Sequence, residues 1–422
     1  MKAETKQRIE QIRRGEVPEG YVKTALGLAP TDWKRYTFGD IYTERKEPGD
    51  ENLPLLMVSI HSGVSDGEVD AAELPKQVKR IEDKSQYKKA VSGDLVFNMM
   101  RAWQGAIGTV RTTGMVSPAY IVAEPNDKAY PLFMDYYSRT PQMINQIDRQ
   151  SYGVTDFRKR LYWDSFAPIS CTLPPIEEQQ KIATILTTQD RVIELKEKRL
   201  AEKQRQKKYL MQQLLTGKKR LPGFSGEWKN IKLCEVLSER KEKNVEQNLR
   251  ICSVAVQKGV VDQVEHLGRS YAANDTSNYS VAHYGDIIYT KSPTGDFLYG
   301  IVKQNLLQET VAVSPLYGVF TPLTLGLGYF LHTYFQSAIC ARNYLLPIVQ
   351  KGAKNTINIT NDTFISSKLY LPLDVEEQKA IADTFIAADR EIELLRQDIR
   401  QEKQKKKALM QLLLTGIVRV KT

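Results

Sequence analysis

The chain writes one phrase twice. "LPPIEEQQKIATIL" begins at Leu173 and "LPLDVEEQKAIADTF" at Leu371, and from Glu177 to Gly217 the second copy follows the first at a constant offset of 199 residues. Glu177-Glu178-Gln179 match Glu376-Glu377-Gln378, Ile182-Ala183 match Ile381-Ala382, Asp190-Arg191 match Asp389-Arg390, and "LMQQLLTG" matches "LMQLLLTG". An ungapped match of this length is a duplicated structural element. Each copy predicts one long helix. Proline precedes it (Pro175, Pro372), glutamates fill its first turn, and glycine closes it (Gly217, Gly416); these are helix start and stop signals. In the first copy Leu186, Ile193, Leu200, Lys207 and Leu214 recur every seven residues, beside a row of Ile182, Gln189, Lys196, Lys203 and Leu210. The second copy has Phe385, Ile392, Ile399, Lys406 and Leu413 beside Ile381, Ala388, Leu395, Glu402 and Leu409. Apolar ends around a polar middle describe a coiled-coil seam. About forty residues at ~1.5 Å rise make a rod of ~60 Å, long for a helix on one small domain. Two such rods in one chain most simply pair with each other.

The stretches before the rods are duplicated more faintly. Trp33-Lys34 corresponds to Trp228-Lys229, "ERK" at Glu44 to "ERK" at Glu239, and "SIHSGVSD" from Ser59 to "AVQKGVVD" from Ala255. "SGDLVFN" from Ser92 resembles "YGDIIYT" from Tyr284, and "VSPAY" from Val116 matches "VSPLY" from Val313. The plan is globular unit, rod, globular unit, rod. Each unit mixes short β-rich runs ("DLVFNMM", "AYIVAEP"; "LRICSVAV", "LYGVFTP") with helical stretches ("PLFMDYYSRTPQMINQI"; "LGYFLHTYFQSAICARNYLL"), which predicts α+β domains of about 150 residues. Boundaries fall at 1–29 for an N-terminal helical segment, 30–172 and 218–370 for the units, and 173–217 and 371–422 for the rods. "RRGEVPEGY" near the start is faintly similar to "TGKKRLPGF" after the first rod, as a shortened third copy of the rod's end would be.

Charge is concentrated in the rods. The 422 residues carry a net +10, but residues 191–220 alone hold eleven Lys/Arg against three Glu, and residues 390–419 hold eight against four acids. The rest of the chain is therefore close to neutral. For "KQRQKKYLMQQLLTGKKR" the favoured reading is contact with nucleic-acid phosphate or an acidic protein groove; the alternative is that lysines merely solubilise outer helix faces. Within the units, polar loops interleave basic, amide and aromatic groups. The candidate DNA contacts there are His61, Ser62, Arg101, Trp103, Gln104, Tyr152, Thr155, Arg158 and Lys159 in the first unit. In the second they are Gln257, Lys258, Lys291, Ser292, Thr294, Lys351, Lys354, Asn355 and Asn358. Arg and Lys can reach guanine edges, Asn and Gln adenine edges, and Ser/Thr either.

Catalytic motifs are missing from the sequence. Gly217-Lys218-Lys219 lacks the upstream glycine and the Ser/Thr of a P-loop, no GxGxxG follows a strand, and no NPPY-like tetrapeptide is present. An acid…ExK pattern can be assembled from Asp190 and Glu202, but on a straight helix such groups do not converge on a metal. The cysteines (Cys171, Cys234, Cys252, Cys340) never form CxxC, and the histidines (His61, His266, His283, His332) never form HExxH. A reducing cytoplasm and no metal site are the expectation. The charged opening segment has no apolar h-region, and no apolar run reaches the ~18 residues a membrane span needs. A chain of this length without a catalytic constellation reads as a recognition or scaffold protein.

The order of unit, "LPPIEEQQKIA…LMQQLLTG", unit, "LPLDVEEQKAIA…LMQLLLTG" resembles the specificity subunit of Type I restriction-modification systems, over nearly the whole chain. "FNMMRAWQGAIG…GMVSPAYIV" is similar to one class of that family's target-recognition domains; the second unit departs, with Lys291-Ser292-Pro293-Thr294 in place of Met-Arg-Ala-Trp. The resemblance implies two globular α/β target-recognition domains, separated by two long helices that form an antiparallel coiled coil in a pseudo-two-fold repeat. Each domain would read one half of a split double-stranded DNA target. Two modification subunits, which bring S-adenosylmethionine and methylate adenine, would dock on the rods and units, and ATP- and Mg-using restriction subunits would join them. The chain itself would hold no cofactor and do no catalysis. Candidate partner contacts on the rods are Glu177, Gln179, Ile182, Leu210 and Leu214, and Glu376, Gln378, Ile381, Leu409 and Leu413. Two other readings stay open: a coiled-coil adaptor that never touches DNA, and a self-sufficient DNA-modifying enzyme.

Overall fold

The computed structural model describes residues 3–24, 27–50, 52–61, 63–65, 86–155, 158–269, 274–351 and 357–420. The two rods are helices of equal length, Ile176–Leu214 and Val375–Leu413, each about 58 Å long at ~1.5 Å per residue. They end alike. Gly217 and Gly416 take left-handed backbone (φ 68° and 69°), and the N–H groups of Lys219 and Val418 reach back to the carbonyls of Gln213 and Leu412 at 3.1 and 3.0 Å. This is a glycine-dependent helix cap. An added Cβ on Gly217 would press on Trp228 and Tyr370, and one on Gly416 on Pro30 and Trp33, so the repeated tryptophans are the surfaces against which the rods stop.

Compactness divides the chain differently from its linear plan. Unit 1 is residues 1–195 with 399–422; unit 2 is residues 196–398. Each unit therefore owns the first half of one rod and the second half of the other. In unit 1, Lys34–Thr37 pairs antiparallel with Ser170–Leu173, which returns the chain to the start of the first rod. A four-stranded antiparallel sheet runs in the order Tyr42–Glu44, Tyr120–Pro125, Leu95–Asn98, Ile107–Thr109. Helices Pro131–Tyr137 and Pro141–Arg149 break where Pro141 opens the second. The N-terminal helix is Ala3–Arg13, and Tyr21, on the hairpin after it, donates to the Gly416 carbonyl at 2.6 Å. Unit 2 repeats the plan with Trp228–Lys232 on Lys368–Pro372 and a sheet of Leu237–Glu239, Gly318–Pro322, Ile287–Tyr289 and Val302–Gln304. It adds a second four-stranded sheet in which Arg250–Ala255 lies parallel to Val311–Val313.

The repeated landmarks pair with each other. Arg45 of the first "ERK" holds Asp94 of "SGD" at 2.8 Å, and Arg240 of the second holds Asp286 of "YGD" at 2.6 Å. Each core is closed by rod residues. Phe38, Phe97, Phe133 and Phe166 pack with Ile182, Leu186, Leu413 and Leu414 in unit 1. Tyr289, Phe320, Phe330 and Phe364 pack with Leu214, Ile381 and Phe385 in unit 2.

Candidate nucleic-acid interface

Three loops of unit 1 meet at one end of its sheet. His61 sits on the turn between Val58–Ser59 and Gly63–Val64, and the neighbouring Ile60 carbonyl lies where a side chain on Gly105 would touch it at 3.4 Å. Arg101, Trp103 and Gln104 form one tight helical turn after Leu95–Asn98. It is held by the Asn98 side chain accepting from Met100 N–H (2.9 Å) and by the Trp103 indole donating to the Met100 carbonyl (3.0 Å), and Gly105 closes it at φ 103°. The third loop is pinned at its base by reciprocal backbone bonds between Tyr152 and Arg160 (2.9 and 2.7 Å), and Leu161 N–H donates to Met99 at 2.9 Å. Lys159 joins two of the loops: its ammonium lies 5.0 Å above the Trp103 ring and 2.8 Å from Asp148. His61, Arg101, Gln104, Tyr152, Thr155 and Arg158 are exposed, and Trp103 and Lys159 half-buried. Ser62 lies outside the described residues.

The same end exposes apolar groups that sequence reasoning missed. Val154 is 93% exposed, Tyr162 53% and Met100 40%, beside the already named Tyr152 at 62%. Apolar contact suits a thymine methyl or a base face. Their one signal was position: each adjoins or sits among residues already singled out.

In unit 2, Gln257 and Lys258 are exposed on the tip of the Arg250–Ala255/Gly259–Asp262 hairpin. Lys291 adopts left-handed backbone (φ 55°), and Gly300 lets the opposite arm approach it: a Cβ there would lie 2.9 Å from Lys291 N. Burial lowers the Lys291 ammonium pKa. Ser292 and Thr294 are exposed, and Thr294 and Phe297 exchange backbone bonds of 3.1 and 3.0 Å. Gln257, Lys258 and Thr294 line one cavity of about 870 Å³. Lys351 and Asn358 lie on the short pair Gln350–Lys351/Ile357–Asn358. Lys354 and Asn355 lie outside the described residues.

The rods correct two expectations. Gln179, Ile182, Leu214, Gln378, Ile381 and Leu413 are buried in the chain's own packing, so they are not surface that a partner touches. Gln179 donates to the Lys128 and Pro174 carbonyls (2.9 and 3.0 Å) and accepts from Tyr130 N–H at 2.8 Å; Gln378 donates to Pro372 (2.9 Å) and accepts from the Thr324 hydroxyl (2.8 Å). Leu210 and Leu409 are half-buried against those cores, while Glu177 and Glu376 remain exposed. The basic stretch is also partly consumed. In unit 2, Lys196 pairs with Asp398 (2.8 Å), Lys203 with Glu391 (2.9 Å) and Lys207 with Asp389 (2.5 Å). Arg205, Lys208 and Lys218 stay exposed. In unit 1, Gln189 donates to Glu402 (2.7 Å) and Lys406 pairs with Asp190 (2.5 Å). In unit 2 numbers rise on one segment as they fall on the other, and in unit 1 Glu178 meets Arg419 while Gln189 meets Glu402, so the segments are antiparallel within each unit. The polar middle of the heptad rows is thus a paired seam.

Two clamps recur, each built from both rods. Glu178 is held by Arg419 (2.7 Å), which also binds Asp32; Glu377 is held by Arg220 and by the Trp228 indole (3.1 Å). Arg419 keeps the Asp32 carboxyl below its usual range. Asp190 accepts from the Tyr136 hydroxyl (2.7 Å), and Asp389 from that of Tyr329 (3.0 Å). Burial first, and then these carboxylates, push both phenols up. Asp190 is therefore a packing group and not part of a metal-binding constellation. Among the described residues no group of three or more His, Cys, Asp or Glu converges on a metal position, and no helix is long and apolar enough to cross a membrane.

A duplicated α+β unit with an exposed loop end, closed by a duplicated helix pair, defines a two-module recognition protein. The sequence profile described as "Type I restriction modification DNA specificity domain" matches residues 71–204 and 226–403, and the chain belongs to that family. It is similar to the Type I restriction enzyme MjaVIII specificity subunit of Methanocaldococcus jannaschii, at 24% identity over 93% of this chain and 94% of that one. It is also similar to the putative MjaX specificity subunit of the same organism, at 23% over 96% and 98%. Among solved structures, the S subunit of a Type I restriction-modification system from M. genitalium shares the fold, with a TM-score of 0.53 at 10% identity over 92% of this chain and 97% of that one.

Proposed function

We propose that the chain is the DNA-reading subunit of a Type I restriction-modification complex, each unit reading one half of a split double-stranded target. The observation that carries this is two equivalent units, both within the family match, whose exposed loops differ while their frames agree. Like frames bind like partners: two modification subunits bringing S-adenosylmethionine for adenine methylation, and restriction subunits using ATP and Mg. Unlike loops make the two half-sites different. The chain contributes recognition and scaffolding without catalysis, in the cytoplasm, and the rods act as the spacer between half-sites. Co-expression with the neighbouring methyltransferase subunit, followed by genome-wide mapping of methylated adenines, is the test. One split motif, methylated on opposite strands in its two halves, is expected; a stable complex that adds no methylation refutes the reading. Exchanging residues 30–165 for those of another family member should change one half-site only. Four residues added to both rods should lengthen the unspecified gap by about two base pairs, ~6 Å of helix.

A further inference from the structure

The 870 Å³ cavity of unit 2 lies among the hairpin tip Gln257–Gly259, the loop Thr294–Phe297 and the paired rod segments. Lys303 lines it. This lysine is 4% exposed, yet its ammonium makes no hydrogen bond or ion pair with a described residue. The ammonium is not among the fully enclosed side-chain atoms that lack a partner, so it opens onto the cavity while its stem is buried. Asp389, the carboxylate whose charge bears on it, is already taken by Lys207 (2.5 Å) and the Tyr329 hydroxyl (3.0 Å). Five cationic side chains line the cavity against three carboxylates, which leaves two positive charges uncompensated.

Unit 1 supplies an internal control. Lys303 stands opposite Ile288 in the sheet, and the corresponding pair in unit 1 is Gly108 opposite Val96. No side chain fits at Gly108: a Cβ would lie 2.9 Å from Asp135 Oδ1 and 3.2 Å from Gly63 Cα. The next residue makes the comparison sharper. Thr109 N–H donates to the Asp135 carboxylate at 3.0 Å, whereas its counterpart Gln304 N–H donates to His332 Nδ1 at 3.0 Å. Unit 2 has gained a lysine and replaced the carboxylate beside it with an imidazole. Burial, with Lys303 and Lys207 alongside, lowers the His332 pKa to about 3, so the ring is neutral and cannot balance Lys303. Among the described residues no carboxylate pairs with Lys303, and Asp389, whose charge acts on it, is shared with Lys207 and Tyr329.

We propose that this cavity binds a small phosphate-bearing molecule, with the phosphate on Lys303 and Lys258 and the apolar body against Phe297, Leu306 and Ile392. The volume falls in the range of small-ligand sites, roughly 300–1,000 Å³. A doubly charged anion matches the surplus. Lys303 is only 4% exposed, whereas Lys258 on the exposed tip can meet a small molecule as it enters.

The test is calorimetric titration of the full-length chain at pH 7 with inorganic pyrophosphate and, separately, adenosine 5′-monophosphate. One saturable site is expected, weakened about tenfold or more in Lys303→Met and about threefold in Lys258→Gln. Removing a buried charge should leave the melting temperature of Lys303→Met equal or higher, and Lys258→Gln probes the site without touching the core. No saturable binding of either probe, or affinity unchanged in both variants, overturns the proposal. Loss of duplex-DNA affinity in Lys303→Met also overturns it, because the cavity would then be serving DNA.

Discussion

In unit 1, Glu178 near the start of the first rod holds Arg419 beyond the end of the second; in unit 2, Glu377 of the second rod holds Arg220 beyond the first. The pairs are equivalent, but their surroundings are not. Arg419 also carries Asp32, while in unit 2 the third group is the Trp228 indole; its counterpart, the buried Trp33 indole N–H, has no partner among the described residues. The difference teaches that the duplication preserves a charge pair and leaves its support to local sequence. Replacing Arg419 with Met strands two carboxylates, one of them buried, and should cost about 4 kcal/mol; Arg220→Met strands one and should cost about 3 kcal/mol. Amide exchange in residues 170–186 for the first variant and 368–385 for the second measures this. Equal losses would mean that Asp32 adds nothing to the unit 1 clamp.

The next largest contrast is in pH. Where unit 1 has Asp135, unit 2 has His332, whose pKa is lowered to about 3 by burial and by the nearby Lys303 and Lys207. An unfolded histidine titrates near ~6.5. The folded state therefore binds fewer protons than the unfolded state between these values. The stability tied to neutral His332 is fully present above about 6.5 and falls as pH drops toward 3. At pH 4.5 the loss should be about 2–3 kcal/mol. Urea melts at pH 7 and 4.5 should show it in the wild type and not in His332→Gln; the same acid sensitivity in both would assign the loss elsewhere.

The tyrosine clamps differ more modestly. Each lysine keeps a second contact, Lys406 5.4 Å above the Tyr136 ring and Lys207 donating to Gln336 Oε1 at 2.8 Å, but Lys207 also has the cationic Lys303 nearby. Asp389→Asn should therefore destabilise unit 2 by about 2 kcal/mol and Asp190→Asn unit 1 by about 1 kcal/mol. The reverse order in urea melts would show that Lys303 is already balanced.

Much of this frame was legible in the sequence because duplication exposes itself. The rods run over Ile176–Leu214 and Val375–Leu413, inside the expected 173–217 and 371–422. "ERK" and "GD" were visible as repeats, though not as each other's partners. What could not be read was the direction in which a heptad residue faces. Ile182 and Leu413 fit a partner seam as well as their own unit's core, and only the fold assigns them to the core. Charge misled for a related reason. A lysine count does not show that Lys203 and Lys207 are matched by Glu391 and Asp389, which lie nearly two hundred residues away in the sequence. The loops of unit 1 were legible as a group because glycine, basic and aromatic residues cluster there. Lys303 gave no signal, because a lone lysine in a short strand reads as exposed.

The smallest predicted effect concerns how rigidly unit 1 presents its loops. Lys159 ties the Tyr152–Arg160 loop to Trp103 through a cation–π contact and to the helix before it through Asp148. Each tie is partly exposed and contributes roughly 0.5–1 kcal/mol, too little to decide whether the unit folds. It is enough to fix the angle at which the exposed Arg101, Gln104, Tyr152 and Arg158 are presented. Lys159→Met removes both ties but keeps the stem's bulk. If Lys159 acts by positioning, the variant should lose about fivefold in affinity for the full target. The loss should be confined to the unit 1 half-site, with the slope of affinity against salt unchanged. If Lys159 instead contacts a phosphate, the salt slope should fall by about one ion, and binding should weaken on every sequence alike. Competition binding with half-site mutants at two salt concentrations separates a loop that is held in place from one that itself holds the DNA.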